Sequence, residues 1–101
     1  MLDITDDTVS DSLQRHLFVL SFTSPWCASC KKVHAHTLAI EKNYEAVTFG
    51  IIDISTSPNT PAKLQVFSIP TIIFFKDGTE VNRLSGTISD TDLRKELDTL
   101  V

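Results

Sequence analysis

The sequence contains little of what marks several large classes of protein. It has only two cysteines in 101 residues, too few for the disulfide framework that holds a small secreted domain together. No uninterrupted run of apolar side chains is longer than the four residues of Leu17–Leu20, whereas a helix that spans a bilayer needs about 20. These absences argue against a disulfide scaffold and against a membrane-inserted chain.

Positive charge is also scarce. Nine Lys and Arg stand against thirteen Asp and Glu, a formal net charge of −4, and no basic stripe extends beyond pairs such as Lys31-Lys32. Proteins that bind nucleic acid carry a basic patch or stripe, so nucleic acid is not expected as a partner. The N-terminus, Met1-Leu2-Asp3, lacks the basic and apolar regions of an export signal. A cytoplasmic location is therefore expected, unless such a signal has been removed.

Long linkers, low-complexity tracts and internal repeats are absent as well. Apolar residues make up 42 % and charged residues 22 % of the chain, which is ordinary globular usage. At this length one packed core is possible but a second is not. Residues 1–101 are predicted to form a single domain, and a monomer is expected.

Turn and cap signals divide the chain into alternating helices and strands. The strand at Leu17–Phe22 is continuously apolar, which is typical of a strand buried on both faces, whereas the strand at Val81–Ser85 is more polar. The helices show apolar stripes. Asp77-Gly78 is a hairpin signal. The predicted elements are a helix from Thr5 or Asp6 to Arg15-His16, a strand at Leu17–Phe22, a helix from Cys27 to Tyr44, a strand at Val47–Ile54, a helix capped by Thr60 and ending near Val66, a strand at Thr71–Phe75, an edge strand at Val81–Ser85, and a helix capped by Ser89 with Asp92 as its partner.

This order of elements predicts an α/β fold. Strand–helix–strand alternation followed by a hairpin and a helix implies a central mixed sheet, parallel in the middle, with helices on both faces. In such sheets chemistry collects at the carboxyl ends of the strands. Cys27 follows the strand Leu17–Phe22 and begins a helix, so it lies at such an end.

The two cysteines are three residues apart on this predicted helix. Residues i and i+3 share a helix face, so the sulfurs of Cys27 and Cys30 can form a disulfide. The helix N-terminus favours negative charge and is expected to lower the pKa of the Cys27 thiol. Cys27 is therefore predicted to be the nucleophile of thiol–disulfide exchange, and Cys30, one turn deeper, the resolving thiol.

Two other interpretations of the pair are structural cysteines in the core and a zinc site. The zinc ligands would be Cys27, Cys30, His34 and His36. However, His36 lies about 200° around the helix from His34, and the spacing is shorter than that of a zinc finger. Neither a metal nor any cofactor beyond a redox-active disulfide is expected.

Three separate motifs together resemble the thioredoxin family, and they extend over nearly the whole chain. Trp-Cys-x-x-Cys-Lys is followed some forty residues later by Ile-Pro-Thr, then by Asp-Gly and a late glycine. Each is moderately specific alone, but their joint order is highly specific. In this sequence they are Trp26-Cys27-Ala28-Ser29-Cys30-Lys31, Ile69-Pro70-Thr71, Asp77-Gly78 and Gly86.

The resemblance implies a thioredoxin-like α/β/α sandwich and an electron carrier in cell redox homeostasis. Its partners would be proteins with disulfides and a thioredoxin-reductase-like electron donor. The resemblance further implies that Ile69-Pro70 is a cis peptide bond facing the cysteines, that Trp26 is a contact surface, and that Gly86 lets a partner's backbone approach. Without the resemblance, Pro70 would be a strand-start proline, Trp26 a half-buried aromatic residue and Gly86 a turn residue.

The sequence also departs from the family pattern. Ala28-Ser29 replaces the usual Gly-Pro between the cysteines, and Ala35 replaces a mid-helix proline. Ser21 stands where the family has a buried Asp that accepts the proton of the second thiol, and Phe49 aligns with its accompanying lysine. The proton of Cys30 would then be accepted by water, by His34 or by the partner.

Three functions remain open at this point. The first is reduction of protein disulfides by a dithiol, the second a more oxidising or partner-specific carrier, and the third a module that only binds zinc or protein. The direction of electron flow depends on the reduction potential, which the sequence does not determine.

Overall fold

A computed structural model describes residues 1–101 as a five-stranded sheet with four helices. The predicted α/β fold is confirmed. The strands are β1 (Leu2–Ile4), β2 (Leu17–Thr23), β3 (Thr48–Asp53), β4 (Thr71–Lys76) and β5 (Thr79–Ser85), and the helices are α1 (Val9–Ser12), α2 (Ala28–Glu41), α3 (Asn59–Lys63) and α4 (Asp90–Leu100).

The strands lie in the order β1-β3-β2-β4-β5. β1, β3 and β2 run parallel, whereas β4 is antiparallel to β2 and β5 is antiparallel to β4. The parallel pairs therefore fill one side of the sheet and not its middle. This difference arises because β4 runs antiparallel to β2 in the middle of the sheet. The sequence also did not predict β1. A strand of three residues shows no periodicity, and its pairing with β3 is made across nearly fifty residues.

Helices cover both faces of the sheet, as predicted. Side chains of β2 alternate between two cores, because successive residues of a strand point to opposite faces. The core under α2 and α4 contains Leu17 and Val19, and the core on the side of α1 and α3 contains Phe18, Leu20 and Phe22. This division explains why the first four residues of β2 are all apolar.

Three chain segments meet at the edge of the sheet where β2 ends. Phe22 pairs with Thr71 at the start of β4, and Thr71 pairs with Ser85 at the end of β5. The segment that follows β2 contains Cys27, the segment before β4 contains Ile69-Pro70, and Gly86 follows β5. The register of the sheet thus brings the predicted site residues to one edge.

Several predicted element boundaries are wrong. α1 ends at Ser12 and not near Arg15-His16. α2 begins at Ala28 with Cys27 as its N-cap. It ends at Glu41, short of Tyr44. One turn and one cap are confirmed by geometry: Asp77 and Gly78 both have positive φ in the hairpin, and the Ser89 hydroxyl accepts the N–H of Asp92 at 3.0 Å.

Thr60 is not the N-cap of α3, because the helix begins at Asn59 after Pro58. Instead, Asp6 reaches across from the turn before α1. One carboxylate oxygen accepts the amide and the hydroxyl of Thr60, each at 2.8 Å, and the other accepts the amide of Asn59 at 3.1 Å. These bonds satisfy amides at the helix start that have no partner inside the helix. The cap comes from a residue more than fifty positions away.

Asp6→Asn is expected to weaken the fold at neutral pH and to flatten its loss of stability in acid. Partial burial raises the pKa of the Asp6 carboxyl, but the hydrogen bonds from Thr60 and Asn59 outweigh this and leave that pKa below its ordinary value of 3.8. A carboxyl whose pKa is lower in the folded state stabilises the fold above its ordinary pKa, and this contribution is lost as the pH falls through the folded value.

Denaturant unfolding from pH 7 downwards measures this effect. The control is Asp7→Asn, at an exposed neighbour whose side chain makes no hydrogen bond. Equal pH profiles for wild type and Asp6→Asn would contradict the prediction.

No helix of the structure combines the length and the apolar character needed to cross a membrane.

Candidate functional site

Cys27 and Cys30 are joined by a disulfide. Their Cα atoms lie 5.2 Å apart, inside the usual range of about 4.4–6.8 Å. Cys27 has an extended backbone and caps α2, and its Sγ accepts the N–H of Cys30 at 3.1 Å. The sulfur thus takes the place of the oxygen of an ordinary N-cap residue. A backbone N–H and the helix dipole therefore both act on this atom.

The two sulfur-bearing residues differ in exposure. Cys30 is 3 % exposed and belongs to the buried side of α2. Cys27 is partly exposed, and the hydroxyl of Ser29 lies 3.5 Å from its Sγ. A partner can therefore reach Cys27 but not Cys30.

Trp26 is 81 % exposed beside the disulfide. The interpretation of Trp26 as a half-buried aromatic residue is therefore wrong. A large apolar side chain at this exposure, next to a reactive group, is available for contact with a partner.

The Ile69-Pro70 peptide bond is cis, as the resemblance implied. Pro70 is buried, and its carbonyl accepts the N–H of Gly86 at 3.1 Å. Gly86 has a φ of +78° with open space where a side chain would be. It therefore serves as a left-handed turn, and it leaves the surface beside Pro70 uncovered.

Beneath α2, Ser21 occupies the buried position where the family pattern has an acid. Ser21 is 4 % exposed, and its neighbour in the register is Ile51 on β3. Phe49, which aligns with the lysine that accompanies the family's buried Asp, pairs with Val19, two residues before Ser21 on β2. Ser21 therefore offers only a hydroxyl at the buried position that could hold an acid. Its neighbour Ile51 is aliphatic.

His34 and His36 lie on different flanks of α2. His36 is exposed and lines a shallow cavity with Gly86 and Ile88 ahead of α4. His34 is partly buried on the other flank. No group of three His, Cys, Asp or Glu side chains is arranged to hold a metal ion.

Phe67 is an exposed aromatic residue that sequence reasoning did not single out. It is 91 % exposed, more than any other large apolar residue of the chain, in the loop that leads to Ile69-Pro70. Gln65, with a φ of +56°, turns the chain out of α3. Arg83 on β5 holds this turn by donating to the carbonyls of Leu64 at 2.9 Å and Gln65 at 3.2 Å. The sequence feature that could have pointed to Phe67 is its position three residues before Pro70.

Comparison with known proteins agrees with this geometry. The thioredoxin family model matches residues 1–99. A thioredoxin of Chlamydia muridarum is 36 % identical over 89 residues, covering 88 % of this chain and 86 % of the relative. A thioredoxin of Chlamydia trachomatis serovar D is 35 % identical with the same coverage. A thioredoxin of Staphylococcus haemolyticus is 29 % identical over 99 residues, covering 97 % of this chain and 95 % of the relative. With a cysteine pair at the start of α2 and the family's sequence over nearly its full length, this chain belongs to the thioredoxin family.

Proposed function

We propose that this chain reduces disulfides of client proteins, with Cys27 as the nucleophile and Cys30 as the resolving thiol. The chain is a thiol–disulfide oxidoreductase, as the members of its family are. The observation that best supports these roles is the contact between the Cys27 Sγ and the N–H of Cys30 at 3.1 Å. It places the partly exposed sulfur where a negative charge is stabilised, with the buried sulfur one helical turn away.

The proposed cycle begins with both thiols reduced. The Cys27 thiolate attacks one sulfur of the client disulfide, and the other client sulfur leaves with the electron pair of the broken bond and takes up a proton. Cys30 then loses its proton and attacks the Cys27 sulfur, and the second client sulfur leaves in the same way. The client gains two electrons and two protons, and the chain ends with the Cys27–Cys30 disulfide.

The backbone of Ile69 supports a client-binding role for the loop before β4. Its N–H and C=O make no backbone hydrogen bond within the chain, although the neighbouring Pro70 carbonyl is paired with Gly86. An extended client segment can pair with such free groups as an added strand does. Gly86 adds an uncovered turn beside Pro70, and Trp26 adds an exposed apolar surface next to Cys27.

A turbidity assay of disulfide reduction tests the proposed function. The chain is mixed with dithiothreitol and insulin, whose reduced chains precipitate. Catalysis above the rate with dithiothreitol alone is expected, and the same rate with and without the protein would contradict the proposal. A reduction potential from equilibration with glutathione decides the direction. A potential well above that of the cytosolic glutathione pool would contradict a reducing role.

The proposed setting is the cytoplasm, with electrons supplied by a thioredoxin-reductase-like donor and the chain acting as a monomer. The formal net charge of −4 agrees with clients that are proteins and not nucleic acids.

Phe67→Ala and Trp26→Ala are each expected to weaken reduction of a protein disulfide. Removing an exposed aromatic contact next to the reacting atoms costs about 1–2 kcal/mol of binding, or about five- to thirtyfold in kcat/KM. The loss is expected in KM, with little change for a small aliphatic disulfide that does not reach these side chains. Leu38→Ala, at a residue 44 % exposed on α2 and two turns beyond Cys30, is the control. Equal losses for both substrates would contradict a role in client contact.

A further inference from the structure

The ring of His34 contains an unexplained atom. Its Nδ1 is the only buried side-chain nitrogen or oxygen of the protein without a hydrogen-bond partner. Buried polar atoms are nearly always paired, and an exception in a folded protein points to a missing partner or a functional role. His34 also takes part in none of the ion pairs of the structure.

His34 lies on α2 one turn beyond Cys30. His34 comes four residues after Cys30, so the two share a helix face, one turn apart. Helical side chains lean toward the N-terminus and cover the preceding turn, which here is the turn of Cys30. Glu41 lies seven residues after His34 and therefore on the same flank of α2. Its carboxylate binds the Met1 ammonium at 3.1 Å, so this flank lies next to β1.

We propose that His34 Nδ1 accepts the proton of the Cys30 thiol. In the structure Cys30 is part of the disulfide and carries no S–H, and the nitrogen has no hydrogen-bond partner. Reduction creates an S–H one turn away, and the unpaired acceptor then gains its partner. This inference rests on the proposed function, because it assigns the proton acceptor for the resolving step.

The step balances as follows. The neutral imidazole takes the proton of Cys30 while the electron pair of the Cys30 sulfur forms the bond to the Cys27 sulfur. The bond between Cys27 and the client breaks, and the client sulfur leaves with its electron pair. The imidazolium then returns the proton to the client thiolate or to water.

The surroundings of this flank contain few competing groups. On α2 itself the charged residues are Lys31 and Lys32, which are exposed, and Glu41, which is paired with Met1. On the strands, Ser21 and Ile51 carry no charge. By strand alternation, Asp3 of β1 and Asp53 of β3 share the face of Ile51. Asp3 is exposed, and the Asp53 carboxylate accepts the N–H and the hydroxyl of Ser55 at 2.9 and 2.6 Å.

Rapid mixing with an aromatic disulfide that releases a coloured thiolate separates the two chemical steps. Attack by Cys27 gives a first release whose rate rises with reagent concentration, and attack by Cys30 gives a second release whose rate does not. His34→Ala is expected to slow the second release about tenfold or more near neutral pH, to change its pH profile, and to leave the first release within about twofold. Added imidazole is expected to restore part of the second release.

His36→Ala is the matched control, because it removes an exposed histidine from the other flank of the same helix. His34→Gln keeps a hydrogen-bonding side chain but no basic nitrogen, and it is expected to be as slow as His34→Ala. The proposal is overturned if His34→Ala leaves the second release and its pH profile unchanged, or if His34→Gln is as fast as wild type, or if His36→Ala is equally slow. Absence of the first release in wild type would instead contradict the proposed function.

Discussion

Cys27→Ser is expected to lose disulfide reduction almost completely, whereas Cys30→Ser is expected to accumulate a covalent complex with its client. A serine hydroxyl at position 27 cannot attack a disulfide at neutral pH, so the first step stops, and the rate is expected to fall on the order of 10³-fold or more. With serine at position 30 the first step proceeds, but the mixed disulfide has no internal thiol to resolve it.

Non-reducing electrophoresis and mass spectrometry of the two variants measure this difference. Ser29→Ala is the control, because the Ser29 hydroxyl lies 3.5 Å from the Cys27 Sγ but carries no reactive thiol. It is expected to reduce clients at close to the wild-type rate. Accumulation of a complex by Cys27→Ser, or by neither variant, would show that the two cysteine roles are wrongly assigned.

Phe18→Ala is expected to cause the largest loss of stability among single substitutions considered for this chain. Phe18 is fully buried on the side of α1 and α3, and its ring stacks on that of Phe75 with 6.1 Å between centroids. Gly50 on β3 packs closely against the Phe18 ring, because a Cβ there would lie 3.1 Å from it. A glycine has no side chain that could move into the space left by the ring. A Phe→Ala change in such a core costs about 3–5 kcal/mol, out of a total of about 5–15 kcal/mol for a small domain.

Denaturant unfolding at neutral pH measures the cost of Phe18→Ala. Val81→Ala on the edge strand β5 is the control, because Val81 is 53 % exposed and such a change usually costs less than about 0.5 kcal/mol. A loss below about 1 kcal/mol for Phe18→Ala would show that the core closes around the missing ring.

The reactive pair could be located from the sequence because it depends on local geometry. A Cys-x-x-Cys spacing at a helix start specifies that two sulfurs meet, and that the first lies at the positive end of the helix dipole, without any distant residue. The helix start itself was nearly right, since Cys27 caps α2 and Ala28 is its first residue. The buried strands were also predictable, because a strand with apolar side chains on both faces is stable only where both faces are covered.

The parts that the sequence did not predict are set by contacts between distant residues. β1 exists because it pairs with β3, and the cap of α3 exists because Asp6 reaches Thr60. Periodicity and local propensity carry no information about such pairs, which is why α1, α3 and the position of β1 were misjudged.

The sequence by itself determined the α/β class, the two sulfurs and the helix whose start lies at one of them, because each follows from side-chain type and spacing within a few residues. Only the tertiary structure decided what surrounds the sulfurs. The register of β2, β4 and β5 brings Ile69-Pro70 and Gly86 to the end of β2. Packing then exposes Phe67 and leaves His34 Nδ1 buried without a partner, since exposure and pairing depend on which distant elements the fold brings together.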